Sequence, residues 1–164
     1  MRILAYIYYL ITSLRNFLYD KRILPIRRVE GVEIICIGNI TVGGTGKTPA
    51  VQYFVKRLQK MGRKVAVVSR GYRGKRKREP LLVSDGYEIF ATARESGDEP
   101  FIHALNLKVP IVVSSNRYKG CMFAKKHFGV DTIVLDDGFQ HRKLYRDRDI
   151  VLIDATNPFG WGEV

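Results

Sequence analysis

The chain has 164 residues, of which 46% are apolar and 27% charged. That balance suits one globular domain of about 100–200 residues and excludes wholesale disorder. Twenty-eight Lys and Arg against sixteen Asp and Glu leave a net charge of +12, which favours polyanionic partners: phosphorylated ligands, nucleic acid or an anionic membrane.

Ile3 to Ile11 form an apolar run of nine residues, broken by Thr12, Ser13 and Arg15. It is too short to cross a bilayer, and no small-residue cleavage site follows it. The spacing predicts an amphipathic helix. Ile3, Ile7, Leu10, Ile11, Leu14, Phe17 and Leu18 share one face, with Tyr9, Ser13, Asn16 and Asp20 on another. Arg2, Arg15, Lys21, Arg22, Arg27 and Arg28 make the segment basic. Two readings stand together: a terminal helix packed on its own domain, and a helix lying in a membrane interface among anionic headgroups.

Val32 to Ile37 is a β-branched run, read as a buried strand. Gly38 to Thr48 is a glycine-rich turn. Pro49 to Met61 reads as a helix, with Pro49 in its first turn and Gly62 past its end. Lys64 to Ser69 is a second buried strand. Arg70 to Glu79 is a basic loop, with Arg70, Arg73, Lys75, Arg76, Lys77 and Arg78 placing six cations in nine residues. It is either a contact for anionic groups or a solvated mobile loop.

Leu81 to Val83 and Tyr87 to Phe90 suggest a hairpin turning at Asp85-Gly86. Asp98 to Leu107 is a helix candidate. Val109 to Val113 is a strand, and Asn116 to Phe128 a helix with a good N-cap and Gly129 behind it. Asp131 to Leu135 and Asp149 to Ile153 complete the strands. Strands alternating with helices imply βαβ units: an α/β fold with a mainly parallel sheet flanked by helices. Residues 1–28 read as a basic, membrane-associating helix and linker, and residues 29–164 as the core domain.

The strongest chemical signal is Gly38 to Thr48, ending in Gly43-Gly-Thr-Gly-Lys-Thr48. A glycine-rich segment between a strand and a helix turns successive N–H groups inward and adds a helix N-terminus, which together bind phosphate. Thr41, Val42, Gly43, Gly44, Thr45 and Gly46 line this P-loop. Lys47 reaches the terminal phosphates, and the Thr48 hydroxyl suits Mg²⁺. The usual pattern has glycine where this chain has Thr41. A second element is the apolar strand ending in Asp136-Asp137, whose carboxylates suit the metal ion of a nucleoside triphosphate. No Asn-Lys-x-Asp segment occupies Thr156 to Phe159, so adenine is the expected base and ATP the expected nucleotide. Cys36 and Cys121 lack metal-ligand spacing, as do His103, His127 and His141.

Several segments in the same order resemble the tetraacyldisaccharide 4′-kinases of lipid A biosynthesis: Val42 to Pro49, Ser69-Arg-Gly-Tyr72, Gly97-Asp-Glu-Pro100, Asp136-Asp-Gly-Phe-Gln-His141 and Asn157-Pro-Phe-Gly160. The resemblance covers essentially the whole chain. It implies ATP- and Mg²⁺-dependent phosphoryl transfer to the 4′-hydroxyl of a tetraacyldisaccharide 1-phosphate. It also implies a peripheral position on the cytoplasmic face of the bacterial inner membrane. Asp98 resembles the family's catalytic base; from its position alone it reads as a helix N-cap. Lys47 is the other expected catalytic residue. Arg70, Tyr72, Glu99 and His141 are expected near substrate.

Members of the family are about twice this length. The chain therefore reads as an N-terminal half, inactive or weakly active by itself, whose partner is a C-terminal lobe of the same polypeptide. Arg73 stands where the family pattern suggests Gly. The rival reading is a P-loop ATPase that binds nucleic acid through the basic loop. Such readers interleave aromatics along a basic surface. Here four of the nine tyrosines sit in the N-terminal helix, so a lipid interface is expected and nucleic acid is not.

Overall fold

A computed structural model describes residues 2–21, 23–39 and 46–155. Within them the order is α1 (Arg2–Asp20), β1 (Glu33–Asn39), α2 (Lys47–Lys60), β2 (Val65–Ser69), β3 (Leu81–Ser84), α3 (Ala93–Ser96), α4 (Asp98–Asn106), β4 (Ile111–Val113), α5 (Arg117–Phe128), β5 (Thr132–Asp136) and β6 (Arg148–Leu152). The strands form one sheet in the order β3-β4-β2-β5-β1-β6. All neighbouring pairs are parallel except β3 with β4.

Strand residues alternate between two cores. Ile34 and Cys36 of β1, Ala66 and Val68 of β2, and Ile133 and Leu135 of β5 share a core with Cys121 and Ala124 of α5. Ile37, Val65, Val67 and Val134 point to the other face, where Val51 and Val55 of α2 and Ala104 of α4 cover them. A sheet buried on both faces has continuous apolar strands rather than alternating ones, which is why β1, β2 and β5 read so plainly in the sequence.

The two strands nearest the phosphate-loop segment are set by register. Ile37 of β1 pairs with Asp136 of β5, and Ser69 of β2 also pairs with Asp136. β5 therefore lies between β1 and β2, and the loops after all three leave the sheet at one carboxyl edge. Ligand sites of open parallel sheets form at that edge.

Three local expectations differ from the structure. Helix α2 starts at Lys47 rather than Pro49, with Gly46 in the left-handed region at φ 71° as its N-cap. The second arm of the expected hairpin is reduced to a bridge between Ser84 and Ile89. Asp85 explains this: its carboxylate accepts from the N–H groups of Tyr87 and Glu88, so the arm begins with a side-chain-held turn rather than a ladder. Helix α3 was not anticipated, although Thr92-Ala-Arg-Glu95 is a capping box. Glu95 accepts from the Thr92 N–H at 3.0 Å.

Helix α1 docks mainly by its last turn. Tyr19 is buried, under the Arg142 guanidinium. Arg142 also reaches Asp20 at 2.6 Å and donates to the Asn16 carbonyl. Beyond the helix, Arg27 forms a parallel bridge with Leu144. Leu10, Ile11, Leu14 and Phe17 of the apolar face are exposed, so these side chains are not packed on the domain. Among the described residues, no helix is long and apolar enough to cross a membrane.

Candidate active site

The carboxyl edge carries a cavity of about 610 Å³ lined by residues from separate parts of the chain. Lys47 comes from the start of α2, Arg70 and Tyr72 from the loop after β2, Glu99 from α4, Asp136 from the end of β5, and Asp137 and His141 from the segment after it. These seven predicted residues therefore meet in one place. Thr48 is the second residue of α2. The expected phosphate-loop residues Thr41, Val42, Gly43, Gly44 and Thr45 lie outside the described residues, as does Asn157 to Gly160.

Lys47 Nζ lies 3.0 Å from Asn39 Oδ1 and 3.6 Å from Asp137 Oδ2. Asn39 ends β1 and Asp137 follows β5, so adjacent parallel strands deliver both partners to one ammonium. Asp137 adopts φ 58°, a left-handed conformation that few residues but Gly, Asn and Asp accept. Its N–H donates to the Ile37 carbonyl, and its own carbonyl accepts from Arg117.

Asp136 is nearly fully buried and holds His103 Nε2 at 3.2 Å. Glu99 faces this group. Burial, then Asp136 and Asp137, push its carboxyl above the ordinary value, with Lys47 and His103 opposing. Three carboxylates around one ammonium form a site suited to a cation and a polyphosphate together.

Thr48, Asp136, Asp137 and Glu99 supply only oxygen donors, the chemistry Mg²⁺ prefers. Among the described residues no three His, Cys, Asp or Glu side chains are grouped to enclose a metal. The donor set thus fits a Mg²⁺ ion that takes one or two carboxylates and completes its shell with phosphate oxygens and water.

His141 is pushed down to about 4 by burial and by the cations Arg117, Lys143, Arg146 and Arg70. It is neutral at pH 7, and among the described residues its buried Nε2 has no hydrogen-bond partner. Arg15, Ser69, Ser115, Arg117 and Gln140 also line the cavity but were not singled out from the sequence. Gln140 had a signal, since it lies inside the Asp136 to His141 segment. Arg117 had none: it is a buried first-turn arginine whose guanidinium bonds the carbonyls of Ser114, Ser115 and Asp137.

Asp98 does not line this cavity. It borders a smaller hollow of about 210 Å³ with Tyr72, Arg73, Lys75 and Arg94. Gly97, not Asp98, is the N-cap of α4. Asp98 is exposed and forms no hydrogen bond with the described residues, so capping does not account for it. Tyr72 lines both spaces and joins them.

The basic loop is folded back rather than loose. Lys75 N–H donates to the Arg94 carbonyl at 2.8 Å. Arg76 bonds both Glu79 and the Gly71 carbonyl. At Gly71, φ is 65°, and a Cβ would stand 2.3 Å from Val113 Cγ1 and 2.4 Å from the Ser96 carbonyl. At Gly97, φ is 91°, and a Cβ would stand 2.7 Å from the Tyr72 carbonyl. The Ser69 to Tyr72 and Gly97 to Pro100 segments thus interlock main chain to main chain, which puts Tyr72 beside Asp98.

The family described as Tetraacyldisaccharide-1-P 4'-kinase matches residues 1–164. A Tetraacyldisaccharide 4'-kinase of Halothermothrix orenii is 46% identical over all of this chain and 43% of its own length. One from Geobacter sulfurreducens is 42% identical over 96% of this chain and 45% of its own. A crystal structure of LpxK from Aquifex aeolicus, in complex with ATP, superposes with a TM-score of 0.83 at 42% identity. It covers 93% of this chain and 47% of its own. The chain spans less than half the length of these relatives.

Proposed function

The chain belongs to the tetraacyldisaccharide-1-P 4'-kinase family, and from that premise we propose that it is the nucleotide-handling part of an ATP-dependent lipid-sugar kinase. The reaction is transfer of the γ-phosphoryl group of ATP to the 4′-hydroxyl of a tetraacyldisaccharide 1-phosphate. The observation that carries this reading is the convergence of Lys47, Asp136, Asp137 and Glu99 on one cavity, where β1 hands over to α2.

In this reading residues 41–48 hold the nucleotide's phosphates, and Lys47 neutralises charge on the γ-phosphoryl group as it moves. Thr48, Asp136 and Asp137 hold Mg²⁺, which supplies further charge neutralisation when bound. The acceptor oxygen bonds to the γ-phosphorus, the bond to the bridging oxygen breaks, and ADP leaves. Asp98 takes the proton of the hydroxyl as that bond forms. Its exposed position suits an incoming sugar, with Tyr72 between acceptor hollow and nucleotide cavity. Arg70, Glu99 and His141 contact the substrates.

Residues 1–28 hold the chain on the anionic cytoplasmic face of the inner membrane, where the acylated acceptor resides. The exposed apolar face of α1 supports this. Residues 29–164 form the core, completed by a C-terminal lobe of the same polypeptide. Without that lobe the chain binds ATP and transfers phosphate negligibly.

The test is a chimera. The chain replaces its matched segment in the Halothermothrix orenii relative, and transfer of label from γ-labelled ATP to the tetraacyldisaccharide 1-phosphate is measured. Transfer above the chain alone is expected, and Asp98→Ala lowers turnover more than it weakens ATP binding. A folded chimera without transfer overturns the kinase reading. Unchanged turnover in Asp98→Ala overturns the base assignment.

A further inference from the structure

His103 stands behind the site, on α4, and no step above uses it. It is fully buried, as is its partner Asp136, with Nε2 3.2 Å from Asp136 Oδ2. A carboxylate only accepts, so Nε2 carries the hydrogen of this bond. Its Nδ1 is buried and, among the described residues, has no hydrogen-bond partner. For packing alone, histidine is a poor occupant: an apolar side chain would fill the space without stranding a polar atom. What the imidazole adds is its one bond to Asp136.

That bond matters because of where Asp136 lies. The residue ends β5, with Ile37 and Ser69 at its sides in register, so its main chain is fixed by two parallel ladders. Its carboxylate remains free to turn about the side-chain bond. Glu99 faces it with like charge. One oxygen engaged by His103 limits that turning and assigns the other to the cavity, which Asp136 lines.

We infer that His103 is a positioning residue, whose Nε2–H fixes the Asp136 carboxylate so that its other oxygen meets a phosphate-bound divalent cation. Partners behind a metal-binding carboxylate commonly change metal affinity about 10–100-fold. The inference rests on the nucleotide reading above.

The experiment measures Mn²⁺ binding to the chain by the loss of the free-ion electron paramagnetic resonance signal, with a non-hydrolysable ATP analogue present. Analogue binding in chelator is measured alongside, and thermal unfolding reports folding. His103→Gln keeps a donor near the Nε2 position; His103→Asn keeps an amide but falls short of it; His103→Leu fills the space without a donor. Leu and Asn are expected to weaken Mn²⁺ binding about 10-fold or more, and Gln to stay within about threefold of the parent. Chelator-measured binding stays unchanged in all three. Folded Leu or Asn variants with parental Mn²⁺ affinity overturn the inference. So does equal loss in Gln and Asn, which assigns the residue to packing. A parent chain that binds neither analogue nor Mn²⁺ overturns the nucleotide reading, and this inference with it, before any substitution is made.

Discussion

Lys47 and Asp137 face each other 3.6 Å apart, one at the first residue of α2 and the other just past β5. More than half of the Asp137 side chain is exposed, so the pair is screened and contributes at most about 1 kcal/mol to folding. Its value is positional: the ammonium is held at the cavity by groups that a nucleotide's phosphates can outcompete.

Lys47→Ala is therefore expected to leave the melting temperature nearly unchanged while weakening ATP binding by the chain. In the active chimera it lowers turnover by a factor on the order of 10²–10³, because it removes charge stabilisation of the transferring group. Calorimetric titration and a thermal melt on the same sample separate the two effects. A large loss of stability with intact binding contradicts this assignment.

Gly71→Ala tests the interlock of the two loop segments. The added methyl meets Val113 and the Ser96 carbonyl at distances no real Cβ tolerates, at a positive φ. Destabilisation of about 3 kcal/mol is expected from the forced shift and strain. At Gly62 a Cβ meets nothing within 4 Å, so Gly62→Ala costs only the left-handed conformation, about 1 kcal/mol. Denaturant melts of both variants give the comparison, and equal losses remove the interlock.

Glu99 predicts a pH signature. Burial and the neighbouring carboxylates hold its pKa above the ordinary 4.5. Its stabilising contribution is then fully present below the unfolded pKa and lost as pH rises through the folded one. Glu99→Gln should match the parent's melting temperature near about pH 4 and exceed it at neutral pH. The same variant should bind Mn²⁺ with nucleotide more weakly. A gap that closes with rising pH contradicts the charge crowding.

Helix α1 predicts partition to acidic vesicles. Tyr9, Leu10, Ile11, Leu14 and Phe17 are exposed beside a basic linker. Deletion of residues 1–24 is expected to lower sedimentation with anionic vesicles about 10-fold or more, and added salt to weaken the parent's binding. Equal sedimentation of both forms removes the interfacial role.

Much of the fold was legible because buried parallel strands and capped helices are local signals. β1, β2 and β5 are continuous apolar runs, and α5 is capped at its start by Asn116, whose side chain accepts from Lys119 N–H, and at its end by Gly129. Helix α3 was also written locally, in the Thr92 and Glu95 pair, but the surrounding loop residues hid it. The turn at Asp85-Gly86 was legible, but the shortness of the arm after it was not, because hydrogen bonding by one carboxylate competes with strand pairing and composition does not encode which wins.

Composition and motif spacing determined the class of chemistry: a glycine-rich strand-to-helix turn with Lys47, and paired carboxylates after an apolar strand. Both depend on neighbours in the chain, which a sequence displays directly. Only the tertiary structure decided that Glu99 joins Lys47, Asp136 and Asp137 while adjacent Asp98 opens on another hollow. Successive residues at the start of a helix point about 100° apart, and which direction meets the cavity is set by how α4 packs on the sheet. The same packing brought His103 to Asp136, and the packing of α5 brought Arg117 to Asp137. Those contacts join residues 33 and 20 positions apart, and no local pattern specifies them.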